Sequence, residues 1–444
     1  MYYSTGKNDM ELNSTLFNDS NIGCLLPHPI SEDQWVFYNT FAWWVEGFGS
    51  VLIGLIGIFF NTTTIFVLLG SELAANFFNW LLVCLAVFDS FFLLNGILEA
   101  LRTHLDMSTN FHTFMFAVFL FPFRSIVMCC SIYTTVLLAL ERYNALVRPI
   151  SNQVPGMRVT GKQSLKVYFL WHRCRLFKYI IPIVVLATIF YFPKLLEVKL
   201  VDNYELCLIK NETSDSCNRE YEIELTELKS NNHYILWYQN VSNILITAVV
   251  PFLSLIYLNA NIYLKFKEYI QRQPRAASAA SNSIINQAQE RSKKREKDMV
   301  QQTMILFAIV ILFGLFNFLR IILNINEFLS HDNDKMAIKL GCEWLQYWTI
   351  IAAPVSHLLL QINSSINFFI YCLFNKGFRD ELLSRVQVIS STFVIKQDLE
   401  DVESIDAIHL TTLPATKMTT VPNKDSLKPA KNGNIDNAET IELI

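Results

Sequence analysis

The stretch Ser131–Ile150 reads SIYTTVLLALERYNALVRPI, an apolar run that ends on the charged triplet Glu141–Arg142–Tyr143. An acidic residue beside a basic one at that point has two interpretations: it is the irregular end of a buried helix, or it is part of a conformational switch. The run belongs to a longer apolar segment, Phe114–Val147. Because about 20 consecutive apolar residues cross a bilayer as a helix, this segment predicts a transmembrane helix. The rest of the chain decides between the two interpretations.

The composition is typical of a membrane protein. Of the 444 residues, 52% are hydrophobic and only 17% are charged, against about 25% charged in soluble domains. We therefore predict an all-α membrane protein with a bundle of seven transmembrane helices. The apolar segments lie near Gly49–Leu69, Phe77–Leu98, Phe114–Val147, Leu176–Leu195, Tyr238–Leu264, Val300–Leu323 and Trp348–Phe374.

Two basic loops predict the orientation in the membrane. The loop over residues 148–178 holds seven Lys/Arg and no acid, and residues 265–298 hold nine Lys/Arg against four acids. Since cytoplasmic loops carry an excess of Lys and Arg, both loops are expected inside the cell. With seven spans, the amino terminus is then outside and the carboxyl terminus inside. The expected location is the plasma membrane.

The amino end shows no cleavable signal peptide, so we expect the first span to act as its own insertion signal. Glycosylation sequons at Asn13, Asn18 and Asn211 fall on the predicted outer face, where acceptor sites belong.

Four cysteines also lie on the predicted outer face, where disulfides persist. Four cysteines allow three pairings. The segments YELCLIK and CNREYEIELTEL resemble two facing strands of a hairpin, which favours Cys207–Cys217 and Cys24–Cys342.

The chain divides into four predicted parts. Residues 1–48 form a glycosylated extracellular amino-terminal segment, and residues 49–374 form the seven-helix domain. Residues 375–386 include KGFRDELLSRV, which is typical of a short amphipathic helix on the membrane surface and also of an ordinary charged segment beside a membrane. Residues 387–444 are rich in Ser, Thr, Asp and Lys without apolar periodicity, which predicts a disordered cytoplasmic tail.

Polar residues inside the spans indicate sites, because ionisable groups at bilayer depth are costly. Asp89 lies in the middle of the second span, as either an ion-site ligand or a carboxyl group hydrogen-bonded for packing. Asn363 and Asn367 share a face of the seventh span, and Ser131 and Ser364 add hydroxyl groups. One carboxylate with several amide and hydroxyl oxygens is the set that a small hard cation prefers.

A second polar group lies nearer the outer side, below an acidic loop. Residues 193–233 carry five Lys/Arg against nine acids, which favours either glycoprotein solubility or attraction of a cationic ligand. Glu99 and Arg124 are consistent with a structural ion pair and equally with the polar floor of a ligand pocket. The predicted ligand-contacting residues are Glu99, Arg124, Trp237, Tyr238, Arg320, Glu327, Trp348, His357 and Gln361.

The seven spans, the outer amino terminus and the triplet resemble the rhodopsin-like (class A) G protein-coupled receptors over roughly residues 48–386. The family's landmarks recur in order at Asn61, Asp89, Arg142, Pro251 and Asn367. Several longer stretches of the sequence are also similar to those of the invertebrate FMRFamide-type neuropeptide receptors. The stretches that carry it include CSIYTTVLLALERYNALVRP, FLRIILNINEFL and LLLQINSSINFFIYCLFNKGFRDELL.

The resemblance implies a receptor for an extracellular Arg-Phe-amide peptide that activates heterotrimeric G proteins as helix six moves outward. Its switch residues would be Glu141, Arg142, Tyr143, Asn367 and Tyr371. At rest Arg142 would be held by Glu141 and by an acid on helix six such as Asp298. The cluster around Asp89 would be an allosteric sodium pocket, with no other cofactor. Arrestin, receptor kinases and membrane lipid are the further implied partners, and nucleic acid is not among them.

The chain also departs from the family pattern. The proline of the usual Asn-Pro-x-x-Tyr is replaced by Phe368, and FGLFNFLR lacks the usual Trp and Pro of helix six. Helices without proline kink less, so we expect an altered bend. Ala117 stands where a Cys normally tops helix three, which excludes the usual disulfide to the second outer loop. Arg124 stands where amine receptors have Asp, which argues against an amine ligand.

These departures leave one alternative open: an orphan seven-span chemoreceptor or transporter-like protein that does not couple to G proteins. An enzyme is not expected, since the sequence contains no metal-ligand spacing, nucleophile elbow or phosphate loop.

Overall fold

A computed structural model describes residues 30–70, 73–105, 107, 109–147, 162–202, 221–276, 283–339, 346–388 and 390–391. Within that part of the chain, seven helices are long and apolar enough to cross a membrane. They are α1 (Glu32–Leu68), α2 (Phe77–Thr103), α3 (Asn110–Ala145), α4 (Arg173–Leu196), α5 (Tyr234–Lys265), α6 (Val300–Ser330) and α7 (Tyr347–Phe374). The predicted seven-helix bundle is confirmed.

Several helices continue beyond their apolar parts. The helix that contains α4 begins at Lys162 and gives way to a 3-10 turn over Phe192–Leu196. The helix that contains α6 extends over Ser283–Lys339, and α5 continues as helix to Ala276. Part of each predicted basic loop is therefore helical. Neither Pro nor Gly interrupts residues 162–178, so the helix continues where hydropathy alone ends the span.

A two-stranded antiparallel hairpin is present on the outer side, as predicted. Strand β1 (Val198–Asp202) pairs antiparallel with β2 (Tyr221–Leu225). The segment YELCLIK, which we predicted as the first strand, lies outside the described residues. Within the described hairpin the alternating VKLVD is the first strand, and Lys199 forms a cross-strand ion pair with Glu224 at 2.9 Å. The predicted disulfide and glycosylation positions all lie outside the described residues: Cys24, Cys207, Cys217, Cys342, Asn13, Asn18 and Asn211.

The main hydrophobic core fills the inner half of the bundle, where Phe78, Leu138, Ile305 and Tyr371 are buried together. On the other side of the bundle, α1, α2 and α7 approach closely. A Cβ atom at Gly57 would lie 2.2 Å from Ser365 Oγ, so only glycine fits there.

The seventh helix changes its hydrogen bonding at Ile366, despite the missing proline. It runs as Tyr347–Ser365, breaks at Ile366, and resumes as Asn367–Phe374. At the break, Phe369 N donates to the Ile366 carbonyl at 3.0 Å, which is a tighter turn than an α-helical one. The break therefore occurs without the proline that the family pattern has at this point, where we expected an altered bend.

Residues 376–388 form a further helix, α8. The Asn375 side chain accepts from Phe378 N at 3.0 Å and so caps the start of this helix. Phe378 is buried in the main core, which fixes the helix directly after α7.

Candidate functional site

The inner end of α3 carries two buried charges with separate partners. Arg175 of α4 donates from Nη2 to both carboxylate oxygens of Glu141, at 2.9 and 3.2 Å. We predicted that Glu141 would hold Arg142, and that prediction is corrected: the ion pair of Glu141 crosses to α4. The physical reason is that neighbouring residues on a helix do not face each other.

Arg142 packs against α2 and bonds to α6. Its guanidinium carbon lies 4.1 Å from the centre of the Phe78 ring, and its Nη1 donates to Gln302 Oε1. The expected acidic partner was Asp298, whose side chain lies outside the described residues. Sequence reasoning missed Gln302, although residues 298 and 302 are one helical turn apart and share a face.

The aromatic residues of the predicted switch lie in the same inner region. Tyr371 of α7 is buried, and its ring meets the Phe378 ring edge-on at 5.8 Å. Its hydroxyl group has no hydrogen-bond partner among the described residues. Tyr143 is half-buried and packs against the main core.

A polar cavity lies deeper in the bundle, around Asp89 of α2. The Asp89 carboxylate is 1% exposed and accepts from Ser131 Oγ at 2.7 Å and from Asn367 Nδ2 at 2.8 Å. Asn363 and Ser364 line the same cavity. Its volume of about 30 Å³ is enough for a water molecule or a small ion.

The chemistry of this cavity fits a small hard cation. All five predicted side chains come together there, from α2, α3 and α7, and a buried carboxylate is the charged member. Oxygen donors of this kind suit ions that prefer hard ligands. The structure adds that Asn61 Nδ2 donates to the Ser364 carbonyl at 3.0 Å, which ties α1 to the cavity wall.

The predicted outer residues do not all lie together. Glu99 pairs at 2.9 Å with Arg102, one turn further along α2. The Arg124 guanidinium lies 5.7 Å from the Phe92 ring. The ion pair that the structure gives Glu99 is thus within its own helix, and Arg102 was not among the predicted residues.

His357 and Gln361 of α7 contact α1. His357 Nδ1 bonds to Glu46, whose other carboxylate oxygen lies 3.2 Å from Nε2 of His104 on the loop after α2. Gln361 Nε2 donates to Ser50 Oγ at 2.9 Å. We expected both side chains to face one ligand cavity. Instead they join α7 to α1, because α1 packs directly against this face.

The predicted aromatic residues are also spread apart. Trp237 is 60% exposed and Trp348 is 44% exposed. Tyr238 is partly buried, and its hydroxyl group donates to the Phe190 carbonyl at 2.7 Å. Glu327 is half-buried on α6.

Two further charged residues in this outer region were not predicted. Lys194, in the 3-10 turn that ends α4, donates to Ser125 Oγ at 2.9 Å. Glu197 accepts from the Tyr234 hydroxyl group at 2.9 Å and pairs with Lys229 at 3.3 Å. Their positions in an acidic loop gave no sequence signal that distinguished them from its exposed charges.

Comparison with known proteins identifies the family. The sequence pattern of the 7 transmembrane receptor (rhodopsin family) matches residues 60–371. An FMRFamide receptor of Drosophila melanogaster is 26% identical over 348 residues, covering 77% of this chain and 53% of that protein. An FMRFamide peptide receptor of Caenorhabditis elegans is 23% identical over 338 residues, covering 75% of this chain and 67% of that protein. The chain thus spans about half the length of the Drosophila relative.

Proposed function

Since the chain belongs to the rhodopsin family of seven-transmembrane receptors, which are not enzymes, we propose that it binds an extracellular neuropeptide and activates heterotrimeric G proteins. The peptide class that we propose is FMRFamide-like, with an Arg-Phe-amide end. Two similar proteins that bear FMRFamide in their names support that class, and so does the acidic loop over residues 193–233.

The observation that carries the coupling proposal is the position of Arg142. It is buried between Phe78 of α2 and Gln302 of α6. Outward movement of α6 would remove Gln302 and uncover the guanidinium group for a G protein. Glu141 would stay with Arg175 on α4, so Arg142 can move without breaking an ion pair to its neighbour.

Asn367, Tyr371 and Tyr143 complete the proposed switch. Asn367 connects α7 to Asp89, and Tyr371 lies one turn further toward the inner face. The unpartnered Tyr371 hydroxyl group favours a second packing, because a buried polar group without a partner costs about 1–3 kcal/mol. A ligand that binds that second packing more tightly would shift the population toward it.

We further propose that a sodium ion regulates this equilibrium. Asp89, Ser131, Asn363, Ser364 and Asn367 are the residues that would hold it. When bound, the ion supplies a positive charge beside the buried carboxylate. Because these residues come from α2, α3 and α7, their contacts stabilise the packing in which those three helices lie together.

Among the predicted ligand-contacting residues, we propose that Arg124, Arg320 and Glu327 face the peptide. His357 is a weaker candidate because it bonds to α1, and Trp237 because most of its side chain is exposed. The remaining partners follow the family. The basic inner segments suit anionic lipid headgroups, and arrestin and receptor kinases would bind the activated form at the plasma membrane.

The test is a panel of amidated peptides, including Phe-Met-Arg-Phe-amide, applied to cells that express the chain with an extracellular amino-terminal tag. We expect a calcium or cyclic-AMP response to at least one peptide. The Arg142→Ala variant should lose that response while its surface level stays unchanged.

Lys178→Ala is the matched control, because Lys178 is an exposed cation on the inner half of α4. It should respond as the wild type does. A response that survives Arg142→Ala would contradict the proposed switch, and a panel without any response would contradict the proposed ligand class.

A further inference from the structure

Three cations converge on one turn of α3 in the outer half of the bundle. Arg124 belongs to that turn. Lys194 reaches it from the end of α4, where its Nζ donates to Ser125 Oγ at 2.9 Å. Arg320 reaches it from α6, where its Nη1 donates to Met128 Sδ at 3.0 Å. Residues 124 and 128 share a face of the helix, and residue 125 lies beside them.

The three charges lie close enough to repel one another. The Coulomb interactions of the Lys194 ammonium group with Arg124 and with Arg320 are repulsive, and so is the interaction between Arg124 and Arg320. Neither Lys194 nor Arg320 has a carboxylate within ion-pair distance in the part of the chain that the structure describes. The carboxylate of Glu197 attracts Lys194. However, Glu197 is 1% exposed and already engaged by Lys229 and Tyr234.

All three cations are half-buried, and two of them lie against residues that line the Asp89 cavity. Met128, which Arg320 contacts, lines that cavity, and so does Phe92, beside which Arg124 lies. A cationic ligand group that reached this depth would be repelled by three like charges in a medium that screens them less than water does. An anionic group would be attracted by all three.

We propose that Arg124, Lys194 and Arg320 form a carboxylate-binding subsite of the peptide pocket. The subsite rests on the proposed function, because it assumes that a peptide enters the bundle from the outer side. The carboxylate comes either from an acidic side chain of the peptide or from a free carboxyl terminus. Carboxylates are the acceptors that arginine binds with two parallel hydrogen bonds, which adds geometric specificity to the charge.

The spacing along α6 fixes where the basic group of the same peptide lies. Glu327 is seven residues beyond Arg320, on the same face and nearer the outer side, about 10 Å further along the helix. An extended peptide covers that distance in about three residues. When the carboxylate is an acidic side chain, the preferred peptide therefore carries it about three residues from its arginine, with the acid deeper in the bundle.

Matched synthetic peptides test the subsite on cells that express the full chain. Asp-Phe-Met-Arg-Phe-amide and Asn-Phe-Met-Arg-Phe-amide differ only in the charge at the required spacing. Phe-Met-Arg-Phe as the free acid and as the amide tests the other source of a carboxylate. We expect the acidic member of at least one pair to be about tenfold more potent than its neutral match, as for charge pairs that are partly shielded from water.

Variants of the subsite should remove that preference. Arg320→Gln and Lys194→Gln are each expected to bring the two members of the pair within about threefold of each other, mainly by weakening the acidic peptide. The reversal Arg320→Glu should favour Lys-Phe-Met-Arg-Phe-amide over the Asp peptide. Lys199→Gln is the control, since Lys199 is an outer cation already paired with Glu224; it should keep the preference.

The surface level of each variant distinguishes a binding role of the charges from a structural one. Peptides that activate the wild type with equal potency in both pairs would overturn the subsite and leave the proposed function standing. If both glutamine variants lose surface expression and the molecules that remain keep the preference, the charges are structural and the subsite is overturned. If none of the amidated and free-acid peptides activated the wild type, the proposed ligand class would be overturned, and the subsite with it.

Discussion

Replacing Gln302 tests how α6 is held against α3. Arg142 donates to the Gln302 side chain, and this bond joins the two helices at their inner ends. Gln302→Leu removes the acceptor and keeps a side chain of similar size. Gln302→Glu keeps the acceptor and adds a negative charge opposite the guanidinium group.

The type of hydrogen bond and the burial of Gln302 give the magnitude of both effects. A hydrogen bond to a charged group contributes about 1.5–3 kcal/mol, and charge-assisted pairs are roughly twice as strong as neutral ones. Because Gln302 is only half-buried, we take the lower limit, about 1.5 kcal/mol. Loss of that bond raises the population with α6 displaced about tenfold, since about 1.4 kcal/mol corresponds to a factor of ten. Gln302→Glu lowers that population by a similar factor.

The assay is basal G protein activation without peptide, measured as nucleotide exchange per receptor at the cell surface. We expect Gln302→Leu to raise the basal rate and Gln302→Glu to lower it. Gln301→Leu is the matched control, because the side chain of Gln301 donates to Asn375 at 3.3 Å and, among the described residues, not to α3. Changes in the same direction for Leu and Glu, or no change in either, would refute the proposed role of this bond.

Four further predictions follow from the packing. Gly57→Ala should lower the thermal stability of the purified protein by several degrees because its Cβ would meet Ser365, whereas Gly314→Ala, with 3.4 Å to its nearest neighbour, should not. Glu46→Gln should weaken the contact of α1 with two histidines, seen as faster proteolysis of α1 in detergent. Arg175→Gln leaves the Glu141 carboxylate buried without its ion pair, so the free energy of unfolding should fall by about 3 kcal/mol and the expression level should fall with it. Asp89→Asn should abolish any decrease in agonist affinity that sodium chloride causes relative to choline chloride in the wild type.

The bundle and the Asp89 cavity could be predicted because their signals are local. Seven apolar runs are visible in the sequence, and a carboxylate within one of them is costly enough to indicate a site. Asn363 and Asn367 share a helical face whatever the rest of the fold does. Family order then assigns Ser131 of α3 to the same depth, and the structure brings these residues together.

The partners of Arg142 could not be predicted in this way. Arg175 and Gln302 lie 34 residues from Glu141 and 160 residues from Arg142, respectively. Which residues meet across such distances depends on how α4 and α6 rotate against α3, and no local pattern specifies that rotation. Sequence reasoning offered two acids as partners of Arg142: its neighbour Glu141, which lies on a different side of the helix, and Asp298 on α6, whose side chain lies outside the described residues.

The positions of the outer aromatic side chains could not be predicted for a further reason, which Trp237 illustrates. Residues 234–242 and 245–249 of α5 form wide π-helical turns. Each such turn holds more residues than an α-helical turn, so it rotates the following side chains away from the positions that a 3.6-residue period predicts. Trp237 consequently lies 60% exposed, while Tyr238 turns toward Phe190.

The break in α7 shows how the hydrogen-bond pattern of a helix can be interrupted without its usual proline. Proline bends a helix by removing a backbone donor and crowding the preceding turn. Here Ser365 Oγ donates to the Gln361 carbonyl at 2.8 Å, a back-bond that is known to bend helices. Asn367, just beyond the break, is held to Asp89 at 2.8 Å. The residues on both sides of the break thus bond to α1 and α2, so the cavity around Asp89 and the break in α7 share the same contacts.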